Sequence, residues 1–112
     1  MYERFKDNAL MYYNPDGELK EYRFKRNQIL ELIEECDKNN EHILGIVVLL
    51  EPSENDYGEP CAFFNTDDLR PEDFDDYTTS IASLAKKYIQ AIDEDGDDIY
   101  YTLELKSSHL RP

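Results

Sequence analysis

The chain has 112 residues, with 26 acidic side chains against 12 basic ones and a formal net charge of −14. That balance excludes a protein that grips nucleic-acid phosphates or an anionic membrane surface, since both need clustered Lys and Arg. An apolar content of 40%, with nine Tyr and five Phe, is enough for a core; this excludes a disordered acidic tail and suits one acidic domain over 1–112.

In chain order, the first signal is a hairpin. Ala9–Tyr13 and Leu19–Phe24 flank Asn14-Pro15-Asp16-Gly17, where Pro presets φ and Gly supplies a positive φ. A helix follows with Asn27 as its N-cap. Its apolar positions Ile29, Leu30, Ile33 and Cys36 fall on one face, and Asn39-Asn40 ends it. The run Ile43–Leu50 lacks alternation and is rich in β-branched residues. It reads as a strand buried on both faces, with Val47 in the core. After a polar stretch, Cys61-Ala62-Phe63-Phe64 reads as a second interior strand with Phe63 in the core.

Asp67–Phe74 reads as a helical turn with Pro71 in its first turn. Beyond it lies a helix with a stripe of Ile81, Leu84, Ala85, Tyr88 and Ile92. The final segment alternates strictly, with Ile99, Tyr101, Leu103 and Leu105 inward and Tyr100, Thr102, Glu104 and Lys106 outward. The order is β-β-α-β-β-α-β. The expected class is α+β, a mostly antiparallel sheet of about five strands with two helices on one face.

Motifs for chemistry are weak. Pro15-Asp16-Gly17-Glu18-Leu19-Lys20 superficially matches the acidic-acidic-lysine pattern of metal-dependent nucleases, but Asp16 falls in the turn itself. Asp93-Glu94-Asp95-Gly96-Asp97-Asp98 resembles a calcium loop. In EF-hand register, however, Ala91 and Thr102 would occupy positions one and twelve, and neither supplies a carboxylate. Cys36, His42, Cys61 and His109 match no compact zinc spacing, and both cysteines fall on apolar faces. No phosphate loop or nucleophile elbow is present in the sequence. No cofactor, metal site or catalytic residue is therefore assigned, and the protein is read as non-enzymatic. Two cysteines and the charged start Met1–Asp7, which holds no signal-peptide apolar region, fit a cytoplasmic protein.

The acid is unevenly spread. Residues 1–50 hold ten acidic and seven basic side chains, whereas 51–112 hold sixteen and five. Glu51, Glu54, Asp56, Glu59, Asp67, Asp68, Glu72, Asp73, Asp75 and Asp76 accompany a single base, Arg70. Five further acids, Asp93, Glu94, Asp95, Asp97 and Asp98, follow a helix C-terminus, where negative charge is unfavourable. These fifteen residues are the candidate partner-binding set. Tyr12, Tyr13, Tyr57, Tyr77, Tyr100 and Tyr101 lie in or beside the strands, loops and acidic segments, and Tyr is enriched at interfaces. Tyr88 and Tyr101, on apolar faces, are read as core.

The expectation is a stoichiometric inhibitor or immunity protein. Its acidic surface would cover the basic, nucleic-acid-binding face of a target protein: a nuclease, a toxin or a nucleic-acid-binding effector. Such a protein could be a nucleic-acid mimic of the anti-restriction or anti-CRISPR kind. The alternative is an acidic adaptor or chaperone that holds a partner segment at a sheet edge or in a groove. Neither binds nucleic acid directly, and neither needs a membrane.

Overall fold

The structure, a computed structural model, describes residues 2–50, 59–66, 81–92 and 99–111. The expected helical turn at 67–74 and the stretches 51–58 and 93–98 lie outside the described residues. The elements are α1 (Glu3–Asp7), β1 (Leu10–Tyr13), β2 (Leu19–Arg23), α2 (Arg26–Lys38), β3 (Ile43–Leu50), β4 (Glu59–Asn65), α3 (Ile81–Ala91) and β5 (Ile99–Leu105). The class is α+β with antiparallel strands, and no described helix is long and apolar enough to cross a membrane.

The sheet is divided. β1 pairs with β2, and β3 lies between β4 and β5. A bridge joins the two parts, where Phe24 and Tyr101 exchange N–H···O bonds of 2.8 Å. The hairpin turn follows the sequence reading. Gly17 has φ 91°, its N–H donates to Asn14 O at 2.9 Å, and Asp16 Oδ1 accepts the Glu18 N–H at 3.1 Å. Asp16 thus serves the turn.

The short α1 has no periodic signal in the sequence. It is held by Tyr2 and Phe5, both buried. α2 begins earlier than its composition implies. Lys25 is the N-cap, and Asn27 lies inside the first turn. Gln28 decides this: its Oε1 accepts the Lys25 N–H at 2.9 Å, and its Nε2 donates to Asn8 O at 2.9 Å. The side chain therefore closes the helix start and ties it to the end of α1. At the other end Asn40 takes φ 56°, a left-handed position that Asn tolerates.

α2 buries Ile29, Leu32, Ile33 and Cys36, so Leu32 takes the core position expected of Leu30. α3 turns Ala82, Ala85 and Ile89 inward, while Ile81, Tyr88 and Ile92 pack at the margin. The stripe is thus rotated from the expected one. Two alanines at its centre permit close approach to α2. The helices run antiparallel, with Lys86 Nζ 3.2 Å from Glu34 Oε1 and Arg26 Nη2 donating to Gln90 O at 3.3 Å. Both pack on one face of the three-stranded sheet, over Ile46, Val48, Tyr101 and Leu103.

Two core assignments are overturned. Phe63 is 66% exposed and Val47 is half-buried. β3 and β4 are therefore covered on their helix face, while the other face is open at Phe63 and partly covered at Val47, whose neighbour Thr102 is buried. Tyr101 is fully buried as expected, and β5 alternates as read, except that Thr102 on its outward face is also buried.

Candidate docking surface

The open face is built by register. Phe63 lies opposite Val47, and Val47 opposite Thr102. In the next row Asn65 lies opposite Gly45, and Gly45 opposite Glu104. Residues two apart on a strand share a face, so these six positions form two adjacent rows across β4, β3 and β5. Gly45 leaves the centre of its row without a side chain. The result is a concavity of about 560 Å³ whose lining includes Gly45, Val47, Phe63, Asn65 and Glu104. A side chain at Gly45 is barred by more than this space: an added Cβ would lie 2.6 Å from Phe64 O. The neighbouring Phe64 points the opposite way, its ring 5.4 Å from that of Tyr88 on α3.

Glu104 is exposed, and among the described residues no cation pairs with it. Glu18, Glu31 and Asp37 are likewise exposed with no cation paired among the described residues, whereas some other carboxylates do have partners. Glu21 receives Arg23 Nη2 at 2.7 Å, Glu34 receives Lys86, and Glu35 lies 3.7 Å from Arg4. Arg23 is almost wholly buried, and the Tyr12 ring stacks 4.2 Å from its guanidinium. Burial of a cation requires such partners.

Of the fifteen acids singled out in the sequence, fourteen lie outside the described residues; Glu59 begins β4, without a described side chain. Their flanking residues are informative. The described residues hold twelve acidic and eleven basic side chains, so the framework is close to neutral. The remaining fourteen acids share one base, Arg70, and fall in 51–58, 67–80 and 93–98. In register, Leu50 pairs with both Glu59 and Ile99. The ends of 51–58 and the end of 93–98 therefore join neighbouring positions at one end of the sheet. Eight acids and no base lie on those two connections.

The other candidate groups are occupied structurally. Cys36 is fully buried, and burial pushes its thiol up to about 11, far from a reactive thiolate. His109 Nδ1 lies 2.5 Å from Glu41 Oε1, with the Tyr2 ring edge-on to the imidazole at 6.1 Å. A Ser107 hydrogen bond, more than the His109 contact, holds the Glu41 carboxyl below its ordinary range against the opposing effect of burial. This joins the chain's C-terminal segment to the α2–β3 connection, where Lys106 N–H also donates to His42 O at 2.9 Å. Among the described residues, no three His, Cys, Asp or Glu side chains converge to hold a metal. Cys61 has no described side chain, and Tyr57 and Tyr77 lie outside the described residues. Tyr13 is 49% exposed, as are neighbouring Leu10 and Met11 to similar extents, on β1, whose outer edge pairs with no strand among the described residues. Where β2 and β5 separate beyond their bridge, a cleft of about 290 Å³ opens, lined by apolar Tyr22, Phe24, Leu103, Leu105 and Leu110 and by charged Lys20, Glu21, Arg111 and Glu104, which thus borders both hollows.

The open face escaped the sequence reading because Phe63-Phe64 looks like a buried pair. The available signal was the glycine: Gly45 in an otherwise large apolar run marks a bulge or close backbone approach. Comparison of the chain with protein families, with curated proteins and with solved structures finds no match.

Proposed function

We propose that this protein is a non-enzymatic, stoichiometric binder whose acidic connections cover the basic face of a target protein. The target class is a nuclease, toxin or nucleic-acid-binding effector, and the setting is nucleic-acid mimicry or toxin immunity. One observation carries the reading: the charge is segregated. A near-neutral framework bears three connections with fourteen acids and one base, two of them joined to neighbouring strand ends at Leu50, Glu59 and Ile99. Like charges held close repel one another, so concentrating them works against the fold and favours attraction of a cationic partner.

The test is inhibition of a panel of purified basic nucleases and nucleic-acid-binding proteins at one-to-one stoichiometry, with association rates measured against NaCl. Asp93, Asp95 and Asp97 changed to Asn form one variant, and Asp73, Asp75 and Asp76 changed to Asn another. Glu18, Glu31 and Asp37, exposed on the framework, are changed to their amides as the control. At least one of the first two variants slows association by tenfold or more, and the control leaves it unchanged. Equal small effects from all three refute the reading.

The β1 edge, unpaired among the described residues and with Leu10 42%, Met11 46% and Tyr13 49% exposed, favours a second reading as an adaptor that adds a partner strand. Binding of that kind depends little on salt, whereas electrostatic docking weakens steeply.

A further inference from the structure

We infer, resting on the electrostatic reading above, that the concavity over Gly45 is the anchor point of the docking surface and receives an arginine of the basic partner. Its components match that side chain. Phe63 offers an exposed aromatic face, Val47 an apolar wall for the methylene stem, and Glu104 a carboxylate without a described cation. A guanidinium stacks on an aromatic face and pairs with a carboxylate through its planar fork; an ammonium is a compact, strongly hydrated charge and does neither as well. Gly45 is what makes room, since any larger residue would fill the space between Asn65 and Glu104 and meet the Phe64 carbonyl.

Charge selects the occupant. β4, which carries Phe63, is followed in the sequence, beyond Asn65 of the Gly45 row, by Asp67 and Asp68, whereas Glu51, Glu54 and Asp56 belong to the connection at the other, Leu50–Glu59 end of the strand pair. A second copy would bring an equal net charge of −14 to the same place, whereas a cationic surface is attracted to it. The arrangement is that of an interface hot spot, an aromatic contact ringed by polar and charged groups.

The experiment uses two end-capped peptides of equal charge, hexa-arginine and hexa-lysine, titrated at low salt into the ¹⁵N-labelled full chain. Hexa-arginine shifts the amides of Val47, Phe63, Asn65 and Glu104 and binds about three- to tenfold more tightly than hexa-lysine. Phe63→Leu keeps an apolar side chain without a π face, and Glu104→Gln removes the carboxylate charge. Each brings the two affinities together. If both peptides bind equally and leave those four amides unmoved, the anchor is overturned and the electrostatic reading stands. If neither peptide binds, both fall. An arginine preference that survives both variants overturns the anchor. So do concentration-dependent shifts at Phe63 without peptide, which would make a second copy the occupant.

Discussion

Replacing Phe63 by Ala separates a core role from a surface one. A fully buried Phe removes roughly 150–250 Å² from water. Phe63 is 66% exposed, so about a third of that, roughly 50–80 Å², is at stake. At about 25 cal/mol per Å², and with Ala retaining part of the contact, the loss is about 1 kcal/mol. Its cross-strand pairing with Val47 is included in that figure. Ile46 is the internal standard: it sits next to Val47 on β3, faces the helices and is 1% exposed. Ile46→Ala creates a cavity and costs about 2–5 kcal/mol. Urea unfolding of the two variants, followed by circular dichroism, measures both. The expected lowering of Tm for Phe63→Ala is roughly 4 °C. A loss of about 3 kcal/mol or more for Phe63→Ala, the range for a buried Phe, would refute the assignment of faces.

Gly45→Ala brings a Cβ to 2.6 Å from Phe64 O and forces β3 and β4 apart; the expected cost is about 1–3 kcal/mol by thermal unfolding. Glu41→Gln tests the contact between the C-terminal segment and the α2–β3 connection. The Glu41 carboxyl is lowered in the folded state, so its contribution is complete above the unfolded value of about 4.3 and is lost as pH falls through the folded value. The wild-type protein therefore exceeds the variant by about 1 kcal/mol at pH 7 after solvent screening, and the two melting curves converge as the pH falls below about 4.3. In a Cys61→Ser background, Cys36 is fully buried with its thiol raised to about 11, so a thiol reagent labels it only at the rate of unfolding. Labelling that is fast in the native state would contradict its burial.

Local chemistry was legible along the chain. Asn14–Gly17 specifies its turn through the fixed φ of Pro15 and the positive φ of Gly17, and the structure forms that turn. The alternation of Ile99, Tyr101, Leu103 and Leu105 reflects the two-residue period of a strand, and all four are buried. The order of the longer elements follows from the same periodicities, and the uneven charge is a property of composition alone.

Periodicity states which residues share a face, but not which face is covered; that depends on pairing between distant segments. Phe63 and Phe64 are chemically identical neighbours. One is exposed and the other meets Tyr88 because α3 packs on a single side of β4. The buried stripe of α3 is Ala82, Ala85 and Ile89 rather than Ile81, Leu84, Tyr88 and Ile92, because the helix must fit against α2. Gln28 sets the start of α2 by reaching Asn8, twenty residues away. The candidate docking face has the same origin. Gly45, Phe63 and Glu104 are far apart in the chain, and the register of β3 between β4 and β5 gathers them around one hollow.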